Sequence, residues 1–306
     1  MYLILIDANS IFHRAYHALP PFKTKEGITV NAVYGFTSML LNILIKEKPD
    51  LLITAFDKRG KTFRHEEYAD YKATRVKGPD DLYEQFPISK EILEAFSIPI
   101  FEKTGFEADD LIGTLATMAE KNEDIQKTSI ITGDRDALQL VTNKTSVIAP
   151  LKGISQTITY TPSLVLEKYM VNPDQIIDLK GLMGDSSDNI KGVRGIGKKT
   201  AEKLISEYKT VENLYENIDK IKGKIKEKLE NDRDSAFQSK MLATIIKDCD
   251  IDVDFKDATV FNYKYDDILE KFDKYSFVSL ISKLGQFNSI YEKKKIAEKF
   301  KQKSLF

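Results

Sequence analysis

Two stretches, 2-YLILID-7 and 51-LLITAFD-57, constrain this chain more than any other feature. Each is a nearly continuous apolar run closed by an aspartate. An alternating pattern would leave one face wet, whereas a continuous one predicts a strand buried on both faces, as in a parallel sheet covered by helices. If the two strands are parallel neighbours, Asp7 and Asp57 share one edge. That is the carboxyl edge, where open α/β sheets receive ligands. Ile98–Phe101 and Thr128–Thr132 read as further strands, and 147–149 with 156–160 as an antiparallel edge.

The segments between these strands have helical spacing. Asn9 and Ser10 are placed to cap a helix carrying Arg14, and 30–45 repeats its apolar residues at helical intervals. A helix is expected from Pro79 to Ala95, and another over 105–123. Glu107, Asp109 and Asp110 crowd the start of the latter. One or two acids there answer to the helix dipole alone, and a capping role likewise accounts for Asp7 by itself. Three acids within four residues repel unless a cation neutralises them. Asp134 and Asp136 follow the turn at Gly133, just past the Thr128–Thr132 strand.

The stretch 58–78 has few aliphatic residues. It carries Lys58, Arg59, Lys61, Arg64, Lys72, Arg75 and Lys77 with Phe63, Tyr68 and Tyr71 interleaved. It is either a solvated charged helix or a lid whose cations hold phosphates while its rings stack on bases. Its place just beyond Asp57 favours the lid.

In 181-GLMGDSSDNIKGVRGIGKKTAEKLI-205, Asp185 and Asp188 end one helix and three glycines, Gly192, Gly195 and Gly197, precede the next. Lys198, Lys199 and Thr200 open that second helix. Glycines let backbone N–H groups approach an anion, and a helix N-terminus adds its dipole. Helix, glycine hairpin, lysines and helix together predict a clamp on a phosphate backbone. The lysine run over 220–228 is a solvated face or further backbone contact.

Composition narrows the chemistry. A single cysteine, Cys249, excludes an intramolecular disulfide and a cysteine zinc cluster, and 3 histidines leave no basis for a His-rich site. The net charge of −1 requires any nucleic-acid surface to be local. No leader-like segment opens the chain and no apolar run is long enough for a membrane span. An intracellular protein, cytoplasmic and nucleoid-associated, is expected. Nine carboxylates remain: Asp7, Asp57, Glu107, Asp109, Asp110, Asp134, Asp136, Asp185 and Asp188. Gathered on one edge, they would need hard divalent cations, magnesium or manganese. They are too many for one ion and fit two ions about 4 Å apart, with some acids orienting waters instead.

The blocks 5-LIDANSIFHRAYHA-18, 56-FDKRGKTFRHEEYADYK-72, 107-EADDLIGTLA-116, 133-GDRDALQLV-141 and 183-MGDSSDNIKGVRGIGKKTA-201 resemble the 5′ nuclease domain of bacterial family A DNA polymerases. Phage 5′ exonucleases and flap endonucleases are related to that family. The resemblance implies an α/β fold: a central, mostly parallel sheet flanked by helices, a helical arch and a C-terminal helix-hairpin-helix subdomain. It implies a nuclease core over 1–165 with an arch at 58–85, a helical subdomain over 166–290 with the hairpin motif at 176–208, and a basic tail over 291–306.

It further implies one metal group from Asp7, Asp57, Glu107 and Asp109, with Asp110 close by, and a second from Asp134, Asp136, Asp185 and Asp188. Arg64, Lys72 and Arg75 would contact the scissile region, and Tyr71 would stack on a terminal base pair. The hairpin would grip duplex DNA, in this family often with a potassium ion. The implied activity is 5′-3′ exonuclease and 5′-flap cleavage, RNA primers included, by a monomer associated in function with a DNA polymerase.

Three positions depart from the family pattern: Ala8 stands where glycine is common, and Lys191 and Arg194 where prolines are usual. None removes a carboxylate. The chain is expected to be either a free-standing nuclease or the N-terminal piece of a longer protein, with the Lys-rich ending at Phe306 reading more like a natural terminus than a linker. Two other readings stay open here. One is a DNA-binding module of this fold without chemistry, which the complete acid set disfavours. The other is a small-molecule phosphatase, for which the hairpin has no use.

Overall fold

The structure, a computed structural model, describes residues 1–152 and 156–303. Six strands form one sheet: β1 Tyr2–Asp7, β2 Leu51–Ala55, β3 Ile100–Phe101, β4 Lys127–Ile131, β5 Thr145–Lys152 and β6 Gln156–Tyr160. Their order is β3-β2-β1-β4-β5-β6. All neighbours are parallel except β5 and β6, the expected antiparallel edge. The chain works outward on one side from β1 to β3 and on the other from β4 to β6. The reversal falls between β1 and β4, and crevices form at such points because the flanking connections leave on opposite faces.

The helices in chain order begin with α1 Ala8–Ala18, α2 Asn31–Glu47, α3 Phe63–Glu67, α4 Asp80–Tyr83 and α5 Phe86–Ala95. They continue with α6 Ala108–Lys121, α7 Pro162–Tyr169, α8 Ile176–Met183, α9 Lys198–Tyr208 and α10 Val211–Glu216. The last four are α11 Lys224–Asn231, α12 Arg233–Ala243, α13 Tyr265–Lys274 and α14 Ile281–Lys303.

Alternate residues of β1 feed two separate cores. Leu3 and Leu5 pack with Leu111, Leu115, Leu179, Leu182 and Ile205. Ile4 and Ile6 pack with Phe12, Phe36, Leu40, Phe272 and Phe287. Every one of these side chains is fully or almost fully buried. Each such burial contributes roughly 1.5–3 kcal/mol.

Three segments differ from the sequence expectation. The helix expected from Pro79 to Ala95 is broken into α4 and α5. Pro87 is the reason, since it has no N–H for an interior helical bond and is tolerated only in a first turn. Between the two helices, the Gln85 carboxamide oxygen accepts from Ala32 N at 2.9 Å, capping the open start of α2. The basic stretch 58–78 forms one short helix, α3, followed by turns, because it has no apolar stripe to support a long helix. Finally, residues 260–291, expected with the helical subdomain, pack against α2 and α5 in the second core. The basic tail is docked where it begins: Tyr291 is buried, with its hydroxyl donating to Leu44 O and Pro49 O. Residues 304–306 of that tail lie outside the described residues.

Glu91 ties α5 to α13, accepting from Lys271, Lys274 and the Tyr275 hydroxyl at 2.9–3.0 Å. Burial alone would raise its pKa, but the two ammonium groups and the hydroxyl outweigh it and lower the pKa to about 2. A depressed carboxyl pKa stabilises the fold above the unfolded value and loses that contribution as pH falls through the folded one. Glu91→Gln is therefore expected to cost about 1 kcal/mol at neutral pH, discounted for partial solvent exposure. Urea titrations of both proteins should show the gap closing between pH 4.5 and about 2. A gap unchanged at pH 3 would show that the ion pairs are not its source.

Candidate active-site cleft

The carboxyl ends of β1 and β4 open into a cleft of ≈ 860 Å³. Asp7, Asp57, Glu107, Asp109, Asp134 and Asp185 line it, and Lys72, Arg75 and Lys180 lie among them. Local structure accounts for each position. Asp7 ends β1 and caps α1, its Oδ1 accepting from Ser10 N at 3.0 Å. Thr132, one residue past β4, donates to Asp7 Oδ2 at 2.7 Å. Asp7 thus takes the capping role expected of Asn9 and Ser10. Those two instead join strand ends: Asn9 Oδ1 accepts from Asp57 N and Ser10 Oγ from Gly133 N, both at 2.9 Å. Asp57 Oδ1 in turn accepts from Ala108 N at 2.7 Å, which draws the start of α6 against β2.

These acids are crowded and desolvated. Burial, joined by the Asp57 and Asp134 charges, pushes the Asp7 carboxyl up to about 7. Burial also raises Asp109, with Asp134 and Asp7 as neighbouring charges, and raises Asp134. Asp57 is raised by desolvation deep in the cleft although part of its surface still meets cleft water. Asp109 Oδ1 is buried with no hydrogen-bond partner.

Basic side chains supply the neutralising charge. Lys72 Nζ contacts Glu107 Oε1 at 2.6 Å and lies 3.9 Å from Asp188 Oδ2. Arg75 reaches Asp188 Oδ1 at 2.5 Å. Lys180 bridges Asp185, at 2.5 Å, and Asp136. Burial raises Asp185, but the Lys180 ammonium outweighs it, so its pKa is lowered. The Tyr71 hydroxyl bonds Glu107 and Asp188 at 3.1 and 3.2 Å, so carboxylates of the two expected metal groups lie within reach of one oxygen atom.

With these cations interposed, no three acid or histidine side chains among the described residues converge as they stand on a single ion. The donor set nonetheless fits one. It is all hard carboxylate oxygen, burial and like charge raise the Asp7, Asp109 and Asp134 carboxyls, and Asp109 offers a buried oxygen without a donor.

Three expected site residues sit elsewhere than supposed. Arg64 is buried and does not line the cleft. It makes a bidentate pair with Asp110 at 2.7 and 2.8 Å and donates to Leu242 O and Thr244 O at 2.9 and 2.7 Å. Asp110, expected near the metal, has its oxygens taken by Arg64, Glu107 N and Ile246 N. Tyr71 is buried beneath the cleft rather than presented to a base. Lys61 is exposed, and Arg14 is half-buried on α1. Lys180 and Thr132 were missed by sequence reasoning. The position of Lys180, five residues before Asp185 at the end of a helix leading to the cleft, was the available signal.

The segment 68–75 lies over the loop that carries Asp185 and Asp188. Lys72 N donates to Asp188 O at 2.9 Å and Asn189 Nδ2 to Asp70 O at 2.7 Å. That loop continues into the hairpin between α8 and α9. Gly192 has a φ of +62°, and a Cβ there would lie 2.3 Å from Gly184 N, so only glycine fits. It serves packing, with its N–H on Ser239 Oγ at 2.9 Å. Gly195, at φ +76°, receives Lys228 Nζ on its carbonyl at 2.9 Å. Gly197 starts α9 in open space, beside exposed Lys198 and Lys199 and half-exposed Thr200. Arg194 is bonded to Asp232 from its backbone N–H and its guanidinium, so its charge is paired at the hairpin.

The sheet with its cleft at the switch point, beside a helix-hairpin-helix, is a fold shared with solved structures. The T5 D15 protein, co-crystallised with metal ions, superimposes with a TM-score of 0.65 at 20% identity, covering 96% of this chain and 99% of that one. The catalytic core of Rad2 in complex with DNA substrate gives 0.56 at 18% identity, covering 89% and 86%.

The sequence then places it more narrowly. Residues 2–170 match the model of the 5′-3′ exonuclease N-terminal resolvase-like domain, and 171–266 that of the 5′-3′ exonuclease C-terminal SAM fold. This chain belongs to the 5′-3′ exonuclease family. DNA polymerase I of Bacillus subtilis (strain 168) is 43% identical over 304 residues, 99% of this chain and 34% of that protein. DNA polymerase I of Caldicellulosiruptor bescii is 46% identical over 287 residues, 93% and 34%. The chain thus spans about a third of the length of these relatives. No helix among the described residues is long and apolar enough to cross a membrane.

Proposed function

We propose that this chain hydrolyses phosphodiester bonds at 5′ ends and 5′ flaps of DNA, including strands that begin as RNA primers, with two magnesium or manganese ions. The observation that carries this reading is the meeting of six carboxylates from five separate parts of the chain in one cleft, with Lys72 and Arg75 among them. Asp7, Asp57, Glu107, Asp109, Asp134 and Asp185 are the residues that would hold the ions. Ions held there would supply a water of lowered pKa and offset charge on the leaving oxygen.

The chain's own groups do the rest. Thr132 and Ser10 N hold the Asp7 carboxylate in one orientation, and Ala108 N does so for Asp57. Lys72 and Arg75, which line the cleft and pair with Glu107 and Asp188, are the basic groups that would meet the scissile phosphate. Backbone N–H groups of the hairpin and Lys198 and Lys199 would hold the duplex by its phosphates, without reading sequence.

The deciding experiment maps products from a 5′-flap duplex, a nicked duplex and a single strand with Mg2+. The expected result is cleavage near the flap junction and short products from 5′ ends. Binding without cleavage at any Mg2+ concentration would overturn the reading in favour of a DNA-binding module. Lys198→Ala is expected to weaken duplex binding uniformly across sequences and to reduce the salt slope by about 1. An unchanged slope in fluorescence anisotropy would remove Lys198 from the phosphate contacts.

A further inference from the structure

Residues 242–249 are the last two residues of α12 and an irregular segment after it that lies against α6, the helix whose start carries Glu107 and Asp109. Six of their backbone groups are held by side chains from three other elements. Arg64 on α3 takes Leu242 O and Thr244 O. Gln139, three residues past Asp136, takes the two groups between and beyond. Its Nε2 donates to Ala243 O and its Oε1 accepts from Ile245 N, each at 2.9 Å. Asp110 on α6 accepts from Ile246 N at 2.9 Å, and Thr114 Oγ1 from Cys249 N at 3.1 Å.

Gln139 is buried and spends its remaining N–H on Asp136 O at 2.9 Å, so its carboxamide has no function toward solvent. An independent observation marks the same contact. A Cβ on Gly113 would lie 2.5 Å from Ile245 Cγ2 and 2.8 Å from Ile246 O, so the strap rests directly on α6 at a glycine.

Each holder leads to site residues. The chain after the Arg64 helix leads through turns to Lys72 and Arg75. Asp110 stands beside Glu107 and Asp109. Gln139 follows Asp134 and Asp136. At its other end the strap continues α12, whose Ala236 O and Lys240 Cβ lie against Gly181 of α8, the helix that delivers Asp185. We propose that Gln139 is a positioning residue for the nuclease cleft: through the 242–249 strap it sets the spacing between the acids of the sheet edge and those carried by α8. Every backbone bond it makes fixes one side of the cleft relative to the other. An unpaired buried carbonyl and N–H would let the strap shift. This inference rests on the nuclease reading above.

The test uses Gln139→Leu, which keeps bulk but removes both strap bonds, and Gly113→Ala, which presses a methyl into the strap while favouring the helix. Three quantities are measured at a temperature where both variants are folded by circular dichroism. They are kcat and KM on a 5′-flap duplex with Mg2+, binding of that duplex in chelator, and calorimetric titration with Mn2+ alone. Misplaced support for a metal or reacting group costs about 10–100-fold. The expected result is a kcat about 10–100-fold lower, KM and chelator binding within about twofold, and a weaker Mn2+ midpoint in both variants. A lower melting temperature with unchanged kcat and Mn2+ midpoint would make Gln139 merely structural and overturn the proposal. If the unaltered chain binds Mn2+ but cleaves nothing, the nuclease reading fails. The Mn2+ midpoint then judges the strap alone, and an unshifted value in both variants overturns it.

Discussion

Replacing Asp134 by asparagine is expected to reduce kcat on a 5′-flap duplex by about 10²–10³-fold while leaving the metal-free protein no less stable. The two effects have one cause. Asp134 holds its charge at a cost, since burial raises its pKa and Asp188 adds like charge against the opposing Lys180. Asparagine keeps the Oδ1 that accepts from Asp136 N at 2.9 Å, so the turn after β4 survives. It removes the charge that a divalent cation needs. A carboxyl with a raised folded pKa destabilises at pH above its unfolded value, near 4, and has no effect below it. The stability of the variant relative to wild type should therefore improve from pH 4 to 7 in chelator, where no cation offsets the repulsion. Thermal melts across that range and single-turnover cleavage with Mg2+ check both halves. Retained cleavage would remove Asp134 from the chemistry. A large loss of stability at pH 7 would mean that the carboxylate is held by favourable partners that outweigh its desolvation.

The second large effect is expected at Arg64, and it is a folding effect. Arg64→Met should destabilise the protein by about 3–5 kcal/mol, because Asp110 would be left charged and buried without its partner. The carbonyls of Leu242 and Thr244 would lose their donors as well. Adding Asp110→Leu should recover only part of the loss, since Glu107 N and Ile246 N also bond that carboxylate. Urea titration of the single and double variants measures both steps. This outcome separates Arg64 from Lys72 and Arg75, which line the cleft on the same basic segment. If Arg64→Met kept its stability within about 1 kcal/mol yet lost cleavage, Arg64 would face substrate after all.

Much of this was legible in residue patterns because the physics involved is local. Continuous apolar runs can only be satisfied by burial on both faces, so 2–7 and 51–57 had to be inner parallel strands, with Asp7 and Asp57 at one rim. A strand, a glycine turn and paired acids recur at Gly133, Asp134 and Asp136. Glycines before a lysine-rich helix start marked the hairpin between α8 and α9. The family relation followed from the same blocks. The long basic stretch was recognised by composition, but its one short helix and the turns after it were not, because nothing in its spacing specifies where it folds down.

What the pattern left open is which groups pair across long separations, and that depends on which elements the folded chain brings together. Arg64 and Asp110 are 46 residues apart and meet only because α3 lies across the start of α6. Lys180 stands between Asp136 and Asp185 only because α8 packs beside the turn after β4. The same holds for α13 and α14, whose apolar faces fit either core by composition and join α2 and α5 by contact. Sequence determined that there would be a sheet with an acidic rim and a phosphate-sized hairpin. Only the tertiary structure decided which acids face the cleft and which are locked to a cation beneath it, because burial and long-range charge pairing are properties of the assembled fold.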